Sequence, residues 1–325
     1  MFNLMVDLDK KNRQILYELD FNARQSYSSI GKKINLHRNV VEYRINRLIE
    51  TGIIKNFYTI IDTSKLGYIS LRCYLKFQNT NPEIEQKIIK DFVANKHTFW
   101  VSSIDGLYDL SFIIMVNNLV EFHEFWKQIL KKYHPYIQDQ IFSIYIKLLH
   151  FPISYLTNKT KNRRTSEIIG GGVPVPIDDI EFKILQILST NARKPLTKIA
   201  QQLKSTSMVI NYRIKKMKKL GVIQGFRINI DYARLGYKHF KVDVYLTNYE
   251  KINEIVDYVT LNPHLVYIDY TAGLSDLEIE FHLQDTNELN KIMKEMVLAF
   301  PNTIKNYRYF IFSEIHKMRY IPEEK

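Results

Sequence analysis

The chain of 325 residues contains one cysteine, Cys73. A single thiol permits no intrachain disulfide and no multi-cysteine metal site, and it fits a reducing compartment, so a cytoplasmic protein is expected. No apolar run approaches the roughly 18 residues of a membrane span. The longest, such as Leu110–Val116, have the length of strands. The opening "MFNLMVDLDKKNRQ" lacks a basic region followed by an apolar core, so no export signal is expected. His97, His123, His134, His150, His239, His264 and His282 are scattered, without a paired His-x-x-x-His spacing. Neither a metal site nor a cofactor is expected. Glycine and proline number only 11 and 9, and five of them fall in one stretch near mid-chain, Gly170–Pro176.

What is present points to a folded protein with an anionic partner. Hydrophobic residues make up 46%, enough for well-buried cores. The formal net charge is +12. That balance favours a polyanion, either nucleic acid or an anionic membrane. The length suggests two or more domains.

The strongest signal is an internal repeat. Shifted by 169 positions, Asp9–Tyr68 lies over Asp178–Tyr237 without a gap, and about twenty of the sixty pairs are identical. "NAR" at Asn22–Arg24 meets "NAR" at Asn191–Arg193, and Tyr43-Arg44-Ile45 meets Tyr212-Arg213-Ile214. A weaker echo follows, "DGLYDLSF" at Asp105–Phe112 against "AGLSDLEI" at Ala272–Ile279. Each half therefore reads as one head and one tail. The polar, basic and then Gly/Pro-rich stretch 157–176 reads as a linker.

Within the head, Leu8, Ile15, Leu16 and Leu19 share one face of a helix starting near Asp9. Ser26 is the expected N-cap of a second, short helix. A turn at Asn35–His37 leads to a third helix from about Arg38 to Glu50, ended by Gly52. At about 100° per residue, Val40, Val41, Ile45, Leu48 and Ile49 fall on the apolar half of that helix. Asn39, Glu42, Tyr43, Asn46 and Glu50 face outward, with Arg47 flanking. In the second copy Val209, Ile210, Ile214 and Met217 repeat the apolar half. Met208, Asn211, Tyr212, Lys215 and Lys219 face outward, with Lys216 flanking. A helix whose buried face is kept and whose outer face varies suits the reading of base edges. Amides bond adenine, Arg and Lys bond guanine, and hydroxyls and lysines hold phosphates. The candidate DNA contacts are Arg38, Asn39, Glu42, Tyr43, Asn46, Arg47 and Lys55 in the first head. Those of the second are Ser207, Met208, Asn211, Tyr212, Lys215, Lys216 and Arg227. Lys55 and Arg227 lie on strands expected to form a hairpin wing beside each reading helix, where they would touch the DNA backbone.

Each head resembles the winged helix-turn-helix of the Lrp/AsnC (feast/famine) transcription regulators, on "LDKKNRQIL", "NAR", "SSIGKKI", "VVEYRINRLIETGII" and "IDTSKLGY" and their second copies. The tails read βαββαβ and resemble the effector domain of that family. The expected class is thus α+β: two winged helix-turn-helix domains, each followed by a ferredoxin-like (RAM-type) βαββαβ domain. The expected boundaries are 1–62, 63–156, a linker at 157–176, 177–231 and 232–325. The resemblance implies double-stranded DNA as partner and an effector such as an amino acid near a Gly-x-Tyr-Asp turn. Gly106, Tyr108 and Asp109 match that turn. Gly273 and Asp276 match in the second copy, where Ser275 replaces the tyrosine. From the residues alone, turn chemistry explains the same positions.

The leading expectation is a sequence-specific transcription regulator, not an enzyme, acting as a pseudo-dimer within one chain and able to pair into larger oligomers. Two alternatives stand beside it. One is an enzyme resembling the siroheme decarboxylases, which share the fold as paired halves. The other is a helix-turn-helix used to bind protein, or RNA without sequence preference. Because the two outward faces differ, footprinting of one chain on its selected site is expected to show an asymmetric sequence. A strict palindrome would count against two unequal readers.

Overall fold

The computed structural model describes residues 7–157 and 166–322. Two stretches read above lie outside them: residues 1–6 at the start, and 158–165 in the expected linker.

The first head contains α1 (Lys10–Phe21), α2 (Tyr27–Ile34) and α3 (Arg38–Glu50). Asp9 and Ser26 cap the first two by accepting from the Asn12 and Ser29 amides. Asn35 makes the turn with φ 55°, and Gly52 follows α3 at φ 73°, the left-handed backbone that lets the chain leave a helix. Strand β1 (Ile54–Ile61) comes next.

The first tail runs β2 (Ile69–Phe77), α4 (Pro82–Ala94), β3 (Thr98–Asp105), β4 (Leu110–Val116), α5 (Leu119–Tyr133) and β5 (Ile137–His150). Part of the stretch read as a linker forms a short strand, β6 (Glu167–Ile169), paired along β5. The second head repeats the first as α6 (Asp179–Thr190), α7 (Leu196–Gln202), α8 (Ser207–Lys219) and β7 (Ile223–Ile230). The second tail is β8 (Lys238–Leu246), α9 (Ile252–Val259), β9 (Leu265–Ala272), β10 (Leu277–Leu283), α10 (Thr286–Ala299) and β11 (Ile304–Met318).

The wings differ from expectation. Strands β1 and β7 do not fold into separate hairpins; they pair with each other, antiparallel, from Ile54↔Ile230 to Ile61↔Ile223. Each strand finds the repeat-related copy as its partner because both present the same alternating pattern. The repeated "NAR" turns complete this clasp. The Ala23 amide donates to Phe226 O and the Ala192 amide to Phe57 O. Arg24 donates to Ala192 O, and Arg193 reaches back to Ala23 O and Gln25 O. Each head's arginine thus satisfies carbonyls of the other head, which explains the triplet's double occurrence.

The tails join in the same reciprocal way. Each contributes four antiparallel strands, and β3 pairs with β11 while β5 pairs with β9. The β2–β5 pairing within the first tail completes the ring, giving an eight-stranded closed barrel with β6 appended. One set of alternating side chains faces the outer helices. Leu71, Cys73, Leu75 and Phe112 pack on Phe92, Phe125 and Trp126. Phe240, Val242, Ile279 and Phe281 pack beside Ile255 on α9 and Leu289 and Met293 on α10. The intervening positions point into the barrel, and several carry charge: Arg72, Lys241, Asp243, Glu278 and Glu280 are all buried.

Gly31 packs closely against the turn after α2. A Cβ there would lie 2.4 Å from the Leu36 carbonyl oxygen, although the repeat-related position in the second head is Ala200. Gly31→Ala is therefore expected to destabilise the protein by about 1–3 kcal/mol, the usual cost of forcing an atom into packed structure. Chemical denaturation of the full chain would measure it.

Candidate nucleic-acid interface

The triplet Tyr-Arg-Ile of each third helix divides its labour among three directions. Ile45 and Ile214 are buried in the head core. Arg44 donates to the N-cap carboxylate of α1, Asp9, at 2.6 Å, and Arg213 pairs with Asp178, the N-cap of α6. The hydrogen bond from Arg44, with the helix amides, holds the Asp9 carboxyl below its usual range. Tyr43 and Tyr212 point outward, each 68% exposed. The core fixes the helix, the arginine ties it to the first helix, and the tyrosine is left free.

The buried side of α3 is narrower than the helical wheel indicates. Val41, Ile45 and Leu48 are buried, whereas Val40 and Ile49 remain about 40% exposed. In α8, Ile210, Ile214 and Met217 are buried and Val209 is exposed. A short helix packed on two neighbours buries only the residues aimed between them.

Arg38, Asn39, Asn46 and Arg47 are exposed, and Glu42 is half-buried. On α8, Met208, Tyr212, Lys215 and Lys216 are exposed, with Ser207 and Asn211 partly so. Two of these are engaged within the protein: Arg47 lies 3.6 Å from Glu50, and Lys216 lies 2.8 Å from Glu181. The helices differ in charge. Three arginines against two glutamates give α3 a formal +1. One arginine and four lysines give α8 +5.

The wing residues fare differently. Lys55 remains exposed, 3.3 Å from Asp231. Arg227, expected to touch a DNA backbone, is fully buried. It bonds Asp20 (3.3 Å), Phe151 O (2.7 Å) and His150 O (3.2 Å), and pairs with Glu167. The pairing of β1 with β7 turns this face toward the barrel, so Arg227 ties the heads to the tails and is unavailable to DNA.

The Gly-x-Tyr-Asp turns are also absorbed by the fold. Gly106 and Gly273 have φ of 138° and 122°. Asp109 accepts from the Phe77 amide at 2.7 Å, and Asp276 accepts from the Leu246 amide at 2.7 Å. Tyr108 is buried against Tyr74 and Phe310. These contacts position the turns against the neighbouring strands.

Sequence reasoning missed a second feature. His150, His239 and His282 meet around one cavity of about 300 Å³ between the β1–β7 sheet and the barrel, with Arg72 and Glu280 in its wall. Three histidines on β5, β8 and β10 converge only because the barrel closes. Among the described residues no cluster has the makings of a metal site, and no helix is long and apolar enough to cross a membrane.

Two capped helix-turn-helix heads with exposed, partly basic third helices, clasped by a shared sheet, define a tandem winged helix-turn-helix protein. The winged helix-turn-helix DNA-binding profile matches residues 8–55 and 177–224. An uncharacterized HTH-type transcriptional regulator of Pyrococcus abyssi is 31% identical over 115 residues, 35% of this chain and 77% of that protein. The HTH-type transcriptional regulator FL11 of Pyrococcus horikoshii is 27% identical over 143 residues, 44% of this chain and 93% of that protein. The chain belongs to this family of helix-turn-helix transcriptional regulators, the Lrp/AsnC type, with the unit present twice. Its whole-chain fold is similar to that of the siroheme decarboxylase NirDL, with a TM-score of 0.65 and 13% identity over 96% of this chain and 94% of the other.

Removing Arg227 leaves Asp20 and Glu167 without a buried counter-charge. Arg227→Met is expected to cost about 3–5 kcal/mol of stability while leaving the preferred DNA sequence unchanged. Urea denaturation and a binding selection on the folded variant would check both parts.

Proposed function

We propose that the chain is a transcription regulator that reads an asymmetric duplex DNA site with α3 and α8, and that it is not an enzyme. The observation that carries this reading is the pair of exposed third helices, each pinned by its own core and by an arginine to its first helix. Such rigid presentation suits direct readout, in which side chains must meet base edges in fixed register. Asn39 and Asn46 on α3 are the amides suited to adenine. Tyr43, Tyr212, Arg38 and the lysines of α8 are suited to phosphate or guanine. With +5 against +1, α8 supplies more of the backbone attraction and α3 more of the sequence discrimination. Met208, 82% exposed, suits a thymine methyl.

Selection of bound sequences from random DNA tests this directly. Asn46→Ala is expected to relax base preference within one half of the site. Lys215→Ala is expected to weaken binding across sequences and to reduce the log–log salt slope by about 0.9 if it holds one phosphate. Failure of the full chain to enrich any duplex sequence would sink the proposal.

A second reading rests on the fold shared with NirDL together with the three histidines around one cavity. In it, the chain would act on a tetrapyrrole carboxylate. The charge balance argues otherwise. Among the described residues, Arg72 is the only arginine or lysine lining the cavity, and it already pairs with Glu280 at 2.6 Å and Asp269 at 3.4 Å. Absorption spectra of siroheme mixed with the chain separate the two readings: a shifted band and loss of carboxylate would favour the enzyme.

A further inference from the structure

The cavity between the β1–β7 sheet and the barrel is unused by DNA reading. Its roof comes from the heads, through Tyr58, Ile60 and Ile228, and its floor from the barrel. At about 300 Å³ it sits at the lower end of the roughly 300–1,000 Å³ range of small-molecule pockets.

Aromatic rings form much of the wall. Tyr58 stacks on Tyr320 at 4.1 Å between ring centres, His150 on Tyr267 at 4.5 Å, and Tyr232 lies 4.3 Å from His282. Trp100 and Tyr145 flank the Arg72 guanidinium. Walls of this kind present ring faces, which favour a flat partner.

Charge narrows the class further. Arg72 faces three carboxylates, Glu280, Asp269 and Glu278, all within 3.9 Å. Burial pushes Glu280 up, but Arg72 and the hydrogen bond with His239 outweigh it and hold the carboxyl well below its usual range. Burial pushes His150 and His282 well below the usual histidine range, so both rings are neutral. Burial raises the Asp269 carboxyl well above its usual range, and among the described residues no lining group offers a spare positive charge to receive an anion, whose unpaired burial would be costly.

Some hydrogen-bonding capacity is nevertheless left over. The Nε of Arg72, a side chain 5% exposed, is buried without a hydrogen-bond partner among the described residues. The His150 ring makes ring contacts with Tyr58 and Tyr267. Unmet donors in a native interior carry a free-energy cost that a ligand edge relieves.

We infer that this cavity binds an uncharged, planar heteroaromatic molecule of two or three fused rings. Its faces lie against the tyrosine and histidine rings, and its polar edge meets Arg72. Because the wall draws on heads and barrel together, occupancy strengthens their mutual docking. The inference stands apart from the DNA reading and is tested without DNA.

The test titrates the full chain with three uncharged probes, lumichrome, theophylline and adenine, following lumichrome fluorescence and the heat of binding of the others. Anthracene-9-carboxylate serves as the anionic control. At least one uncharged probe is expected to bind saturably at one per chain and to raise the unfolding temperature, while the control does not bind. Ile228→Trp, which fills the cavity from its roof, is expected to weaken that binding at least tenfold. Ile60→Phe makes the same test should the first variant fail to fold. The inference is overturned if no uncharged probe binds, if the carboxylate binds more tightly, or if binding survives undiminished in a folded cavity-filling variant.

Discussion

The fold depends on one constraint: the polar faces of the two tail sheets have nowhere to be buried except against each other. Arg72 belongs to the first half of the chain, and its ion-pair partners Glu280, Asp269 and Glu278 belong to the second. Lys241 is likewise matched, by Asp243 and Glu278. Taking such groups from water is expensive, so the network adds less to stability than its short distances suggest. What it imposes is pairing. Separated halves would leave Arg72 without its carboxylate partners on an uncovered sheet face, while the closed barrel pairs it with them and removes the sheet edges.

The heads obey the same logic of exchange. Their wing strands pair across the repeat, and each "NAR" arginine caps carbonyls of the opposite head. Arg227 then bolts this assembly to the tails by bonding α1 through Asp20, the end of β5 through His150 O and Phe151 O, and β6 through Glu167. The repeat-related residue is Tyr58, which instead stacks with Tyr320 at the cavity. Duplication has thus left one member of the pair a structural tie and the other part of a pocket. The third helices, each tied by an arginine to the first helix of its own head, present outer faces on which Tyr43 and Tyr212 are exposed.

Much of this was legible in the sequence because it is local. The Asp9 and Ser26 caps, the turn at Asn35, Gly52 after α3 and the order βαββαβ all follow from neighbouring residues. The outward placement of Tyr43, Asn46, Tyr212 and Lys215 follows from helical periodicity. Other features were illegible because their causes lie far away in the chain. Arg227 on an alternating strand looks like a solvent-facing residue until its partners at positions 20, 150, 151 and 167 are known. Val40 and Ile49 look buried until the packing of so short a helix is seen. Histidines that look scattered meet once strands from both halves close into one ring.

By itself, the amino-acid sequence determined the duplication, the local elements and the two unequal outer faces of α3 and α8, since helical and strand periods and capping act over a few residues. Only the tertiary structure decided that "HFKVDV" and "EIEFHL" turn their charged positions inward. A period of two distinguishes the faces of a strand but does not say what covers each one. That choice fell in part to the other half of the chain, whose Arg72 meets Glu278, Glu280 and Asp269, which makes burial of the polar face tolerable and leaves the helices to cover the apolar one.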